Sequence, residues 1–356
     1  MLMAATRARV RGEALVAPAR ASRVRMDVVA SARQGQHVAE VQRARLLSAA
    51  MVAVDELGYA HTTVSDITAR AHVSRRTFYE LFRDREDCLL AVLDSTVERV
   101  RGLFADAGLE GLSWRERVRG GLLAILGLFD SEPALGRVCV VHSAQAGPRI
   151  LERREQIVGA LTDTIDAGRG EGARGGDCPS LTAEGLVGAT LSILHARLSR
   201  HEGAPLSALA SDLMGMIVLP YLGPAVARQE RARPTPRVTR PAQREADAAR
   251  HDDDHAAPIG EDPLAGVTMR LTYRTVRVLE TVAESPGASN RAVGSQAGIE
   301  DQGQTSKLLS RLERHGLLTN RSAGHVKGEP NAWTLTPTGQ RVLDSIDTHI
   351  HREAAR

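Results

Sequence analysis

The sequence predicts a mainly α protein in which a helical block is linked to a small α+β domain. From Arg43 to Tyr221 apolar residues recur at helical spacing, broken at Gly58, Gly108–Gly111, Gly147-Pro148 and Gly168–Pro179. Pro234, Pro236, Pro241, Pro258 and Pro263 then punctuate a stretch of mixed charge with few large apolar residues, as in an interdomain linker. After Gly266 a compact pattern returns and runs to about Ile350. Aromatics are 3% of the chain against 42% hydrophobic residues, so Ala, Leu and Val must build the core. That balance suits helices and disfavours aromatic-rich β folds and base-stacking platforms for single strands.

Across 356 residues, 46 basic side chains face 43 acidic ones, a formal charge of +3. A uniformly basic nucleic-acid coat is excluded, and any such surface must be a local patch. No run of about 18 apolar residues suggests a membrane span. Cys88, Cys139 and Cys178 are odd in number and far apart, without disulfide or zinc-site spacing, which fits a reducing cytoplasm. Residues 1–40 carry Arg7, Arg9, Arg11, Arg20, Arg23, Arg25 and Arg33 against few acids and lack the apolar core of a secretory signal, so they read as a flexible basic arm. The expected domains are that arm (1–40), a first domain of short helices (41–94), a helical domain (95–226), a disordered linker (227–265) and a small C-terminal domain (266–350).

Within the first domain, Arg43–Leu57 places Leu46, Leu47, Ala50, Val54 and Leu57 on one face, and Gly58 ends the helix. Thr62-Thr63 precede a short helix over Val64–Ala71, and only His72-Val73 separate it from a second over Ser74–Phe82, opened by Ser74. Two short helices on so tight a turn spell helix-turn-helix. In the second, Phe78, Leu81 and Phe82 face the core while Arg75, Arg76, Thr77 and Tyr79 point outward, where they suit base edges and phosphates in a major groove.

Gly58-Tyr59, Thr62-Thr63-Val64, Asp66-Ile67, Ala71, Val73-Ser74, Thr77-Phe78-Tyr79, Phe82 and Asp84-Arg85-Glu86 together resemble the signature of the tetracycline-repressor (TetR) family over roughly 50 residues. The resemblance implies that Ser74–Phe82 is a recognition helix, that Thr63 and Tyr79 touch phosphates, and that Arg85 contacts a phosphate where the family usually has Lys. His72 departs from the family's turn glycine, a costlier residue for a left-handed conformation.

Helices are expected over 86–106, 113–130, 134–145, 149–167, 182–201 and 205–222, with Pro133, Pro148, Pro205 and the glycine-rich stretch 168–176 as boundaries. The resemblance implies an effector-binding and dimerisation domain whose last two helices pack against those of a twin subunit. Ala189, Leu191, Ile193 and Leu194, with Leu209, Leu213, Met216, Ile217 and Leu219, exceed what one buried stripe needs, though wide apolar faces also occur in monomer cores. Phe104, Trp114, Phe129, Cys139, His142, His195 and Met214 are candidates for an effector pocket, with core packing the alternative for each. No nucleophile-base motif joins Cys139, His142, Ser143 and His195, so no enzyme and no catalytic residue is expected. No cofactor and no metal are expected either, because His251-Asp252-Asp253-Asp254-His255 reads as a solvated charge run.

At the C-terminus, helices are expected over Leu271–Ala283, Asn290–Ala297 and Gln302–His315, and strands over Leu317–Asn320 and Ala332–Leu335, around the loop Arg321–Asn331. Leu308-Leu309-Ser310-Arg311-Leu312-Glu313, Gly316-Leu317-Leu318 and Leu335-Thr336-Pro337-Thr338-Gly339 resemble a MarR-like winged helix over roughly 70 residues. The resemblance implies that Gln304, Thr305, Ser306, Lys307 and Arg311 face a major groove, with Arg321, His325 and Lys327 in the wing. Recruitment of a protein partner is the alternative use of such a domain. The expected whole is a cytoplasmic homodimeric regulator, most simply a repressor, that binds a double-stranded DNA operator. A small-molecule effector in the middle domain would control it. The second reader would hang on a flexible tether and raise affinity through effective concentration.

Overall fold

A computed structural model describes residues 19–109, 111–171, 177–200, 204–234, 262, 264, 266–322 and 330–354. The chain opens with α1 (Ala19–Leu57), followed by the short pair α2 (Val64–Arg70) and α3 (Arg75–Leu81) and the longer α4 (Arg85–Asp106). The middle is built from α5 (Trp114–Ser131), α6 (Pro133–Val140), α7 (Pro148–Asp166), α8 (Thr182–Ser199), α9 (Ala210–Leu222) and α10 (Pro224–Ala232). The C-terminal unit comprises α11 (Tyr273–Glu284), α12 (Asn290–Gln296), α13 (Gln302–Arg314), strands β1 (Leu318–Asn320) and β2 (Trp333–Leu335), and α14 (Pro337–Ala354). The two strands pair antiparallel in the register Leu318 to Leu335, Thr319 to Thr334 and Asn320 to Trp333.

Three apolar cores form among the described residues. The largest joins α1 to α6 through Leu46, Val54, Ile67, Phe78, Leu89, Leu126 and Leu135. A second, around Trp114, Met214, Ile217, Val218 and Tyr221, seats α9 against α5, with Trp114 and Tyr221 edge to face at 5.4 Å between centroids. The third fills the C-terminal unit with Val276, Leu279, Leu309, Leu312 and Trp333, and it takes Val38 and Val41 from α1.

Several expected boundaries change. The basic arm does not extend to residue 40: from Ala19 onward the chain is one 39-residue helix, about 58 Å long at 1.5 Å per residue. Ala and Arg are strong helix formers, and Val38 and Val41 gain burial against the C-terminal core. Residues 1–18 lie outside the described ones. The expected linker is structured at both ends. Residues 227–232 belong to α10, where Glu230 is buried and ion-paired with Arg119 at 2.8 Å and with Arg115 and Arg233, while Leu264 is buried in the C-terminal core. Residues 235–261, including His251–His255, lie outside the described residues. The expected helix over 134–145 stops at Val140 and continues as a 3₁₀ turn over His142–Gln145. Helix α14 was not expected from the sequence. No helix among the described residues is long and apolar enough to cross a membrane.

Candidate nucleic-acid interface

The first helix-turn-helix is set by local hydrogen bonding. Thr63 caps α2 in a reciprocal box: its hydroxyl accepts from the Asp66 N–H, and its own N–H donates to Asp66 Oδ2 at 2.8 Å. Those bonds to Thr63 hold the Asp66 carboxyl below its ordinary range. Ser74 caps α3, accepting from the Thr77 N–H at 3.0 Å, and its hydroxyl pairs with Thr77 Oγ1 at 2.8 Å. Between the helices His72 takes φ 51°, the left-handed conformation that the sequence implied.

Phe78 is fully buried and anchors α3, with Phe82 beside it and Tyr79 edge-on at 5.4 Å. The other side of α3 is open. Tyr79 is 58% exposed, and Arg75 and Arg76 are exposed beside it. Arg75 donates to Ser65 Oγ on α2, and Arg76 donates to Glu80 at 2.9 Å. Arg75, Arg76 and Tyr79 thus share the open side of α3, Thr63 is exposed at the start of α2, and Ser74 and Thr77 are half-buried and engaged in the cap. Arg85 is tied to the chain itself. Its guanidinium donates to the carbonyls of Tyr59 (3.1 Å) and Thr62 and lies over the Tyr59 ring at 4.6 Å, tying the start of α4 to the turn before α2.

In the second unit the turn uses Gly298 at φ 69°. Gly294 on α12 allows close approach of α13, since a Cβ there would lie 2.8 Å from Thr305 Oγ1. Thr305 is accordingly 1% exposed, and its hydroxyl donates to the Asp301 carbonyl at 3.1 Å. The expectation that Thr305 faces a groove is corrected. Consecutive residues 304–307 cannot share a helix face, and Thr305, Leu309 and Leu312 form the buried stripe at helical spacing. Gln304, Ser306, Lys307 and Arg311 are exposed. Ser306, Lys307, Ser310, Arg311 and Arg314 line a shallow open groove on α13. Asn290, which the sequence did not single out, ties the hairpin to α12, its Oδ1 accepting from Trp333 Nε1 at 2.6 Å and from Asn331 Nδ2 at 2.9 Å. Arg321 is exposed at the end of β1; Lys327 and His325 lie outside the described residues.

The effector-pocket candidates do not converge. Trp114 is buried in the α5–α9 core, donating to the Thr164 carbonyl at 2.8 Å, and Met214 is buried with it, whereas Phe129 belongs to the largest core. His195 is exposed on α8, so its assignment to a pocket is corrected: the inward row of that helix is Val187, Leu194 and Leu198. Phe104 packs against Gly121, where a Cβ would lie 3.0 Å from its ring. Burial pushes the Cys139 thiol up to about 12, and its Sγ lies 3.9 Å from Thr96 Oγ1. Burial holds His142 below its ordinary value.

Ion pairs bind this middle to the first helix-turn-helix. Arg149 at the start of α7 reaches Asp84 at 2.7 Å and Glu86 at 3.1 Å at the start of α4, and Arg137 on α6 pairs with Asp55 on α1 at 2.5 Å. Burial pushes the Asp84 carboxyl up, but the Asp87 N–H and Arg149 outweigh it and hold it below the usual range.

These features define a helix-turn-helix module with an exposed, arginine-bearing second helix. Residues 46–92 match the family model for bacterial regulatory proteins of the tetR family. Among curated proteins, the chain is similar to the HTH-type transcriptional regulator EthR of Mycolicibacterium smegmatis, 26% identical over 146 residues. That similarity covers 39% of this chain and spans 66% of the relative's length. Solved structures with a similar arrangement include the fatty acid degradation regulator FadR from Bacillus halodurans. It is 16% identical, with TM-score 0.45, over 50% of this chain and 94% of that one. FadR from Bacillus subtilis in complex with stearoyl-CoA is 19% identical, with TM-score 0.42, over 49% of this chain and 96% of that one.

Proposed function

We propose that the chain is a homodimeric transcriptional regulator that binds a double-stranded DNA operator through α3 and is released by a small-molecule effector bound in its helical middle. The observation that carries this reading is the division of α3 between a fully buried Phe78 and an open side bearing Arg75, Arg76 and Tyr79. Cations and an amphipathic ring on a capped, rigid helix suit phosphates and base edges in a major groove. Arg85 acts here as a brace for the turn before α2, and any phosphate contact it makes is secondary.

Effector control follows from the Arg149 and Arg137 ion pairs, which link α7 and α6 to the helices that frame α3. A ligand that prefers one arrangement of α5–α7 thereby changes the placement of α3, by population shift. Dimerisation is assigned to α8 and α9, where Leu181 at the start of α8 is 67% exposed and Leu219 on α9 is exposed. The C-terminal unit reads as a winged helix whose α13 presents Lys307 and Arg311 to a second stretch of DNA.

Selection of sites from random duplexes by the full chain tests this function. The expected product is a two-fold symmetric sequence, with enrichment lost in Tyr79→Ala. Absence of any enriched duplex would overturn the assignment.

A further inference from the structure

Arg45 lies on α1 and is 1% exposed. Its guanidinium turns to the C-terminal unit, where it donates to the carbonyls of Val267 (3.0 Å) and Met269 (3.2 Å) and pairs with Asp262 at 3.0 Å. One turn earlier on the helix, Gln42 donates to the Leu271 carbonyl at 2.8 Å. Val38 and Val41 on the same helix enter the C-terminal apolar core. Burial pushes the Arg45 guanidinium below its ordinary value while Asp262 raises it, so the charge is held by its partners and not by water. The next residues, Leu46 to Val54, belong to the core beneath α3. One helix therefore carries both helix-turn-helix units, side by side along its length.

We infer that Arg45 is a positioning residue that locks the C-terminal unit onto α1, so that α3 and α13 form one rigid reading head and recognise a composite DNA site of fixed internal spacing. This rests on the DNA-binding function proposed above. A module on a free chain samples many separations and tolerates shifts of its subsite, whereas a docked module presents its helix at one distance and one rotation about the duplex. The buried charge serves that role because it cannot leave its three acceptors without stranding them. The open side of α13 that remains after docking carries Gln304, Lys307, Arg311 and Arg314, all exposed.

The experiment uses the full chain throughout. Sites are first selected from random DNA with the wild type and with Lys307→Ala/Arg311→Ala, which identifies the bases read by α13. Spacers of 5 and 10 base pairs, about half a turn and a full turn of duplex, are then inserted between the α3 and α13 subsites. The wild type is expected to lose about tenfold or more in affinity with either spacer, because a rigid head follows neither. Arg45→Met, and the milder Asp262→Ala should Arg45→Met fail to fold, are expected to bind the native, half-turn and full-turn sites within about threefold of one another. Full tolerance of both spacers by the wild type would overturn the rigid head. Identical selected sites for the wild type and Lys307→Ala/Arg311→Ala would also overturn it, while leaving DNA binding by α3 intact. Failure of every protein to enrich any duplex would instead refute the underlying function, and the two failures are thus distinct.

Discussion

The first helix-turn-helix turns on His72 at φ 51°, whereas the second turns on Gly298 at φ 69°. The first has a seven-residue second helix whose outward cations are partly engaged, Arg75 with Ser65 and Arg76 with Glu80. The second has a thirteen-residue helix whose Lys307 and Arg311 line an open groove. The first places an aromatic ring, Tyr79, on its outer side; the second has polar and basic groups there. The contrast teaches that one topology supports two different outer surfaces, one short with an aromatic ring and one long with polar and basic groups. On the function proposed above, the short helix would fix a few contacts in place, and the longer one would bring more exposed polar and basic groups to a second stretch of duplex.

The largest expected effect falls on the joint between the two units. Arg45→Ala strands Asp262 and two carbonyls, and is expected to destabilise the C-terminal unit by about 3–5 kcal/mol. Amides of α13 should then exchange faster while those of α3 keep their protection; equal loss in both units would contradict the assignment of Arg45 to the second.

The turns come next. Gly298→Ala forces a Cβ into the left-handed region and should cost about 1–2 kcal/mol in chemical denaturation. His72→Gly relieves the same conformation in the first unit and should gain about 0.5–1 kcal/mol, once the added freedom of the unfolded chain is offset. A loss of stability in His72→Gly would show that the imidazole makes a compensating contact.

Arg85→Ala separates brace from phosphate contact. Removal of the brace should lower stability by about 1–3 kcal/mol and leave the salt dependence of DNA affinity unchanged. A salt slope reduced by about one, with stability intact, would return Arg85 to the phosphate-contact role.

The smallest effect is pH-dependent. His142 has a folded pKa held below its ordinary 6.5 by burial, so the unfolded chain binds its proton more readily. Its contribution to stability is full above about pH 6.5 and diminishes as pH falls, and His142→Gln should flatten that acid limb in thermal melts between pH 7.5 and 5. An unchanged limb would mean that His142 is solvated.

Much of the first unit was legible in the sequence because its signals are local. Thr63 and Ser74 cap the helices that follow them, and Phe78 and Tyr79 divide between inside and outside by helical geometry alone. The second unit was legible as helices and hairpin, but Thr305 was misplaced because four consecutive residues were read as one face. Arg45 was missed because its partners lie more than 200 residues away and two of them are backbone carbonyls, which leave no trace in side-chain pattern. Val38, Val41 and Arg45 do fall at helical spacing, a signal obscured by reading residues 1–40 as an arm. His195 was assigned to a pocket from chemistry alone, and the apolar row of α8 turns it outward.

The central claim is that the open side of α3 reads DNA. It is tested most directly by titrating the duplex selected by the wild type with the full chain and with Arg75→Ala/Tyr79→Ala, at equal salt. Neither substitution touches the Ser74 cap, and Phe78, though it loses the Tyr79 ring edge, keeps its place in the core beside Phe82, so folding should be preserved and visible in an unchanged helical spectrum. The account predicts a loss of affinity of at least about tenfold, together with reduced discrimination between the selected and a scrambled duplex. Wild-type affinity and discrimination in the folded variant would contradict it.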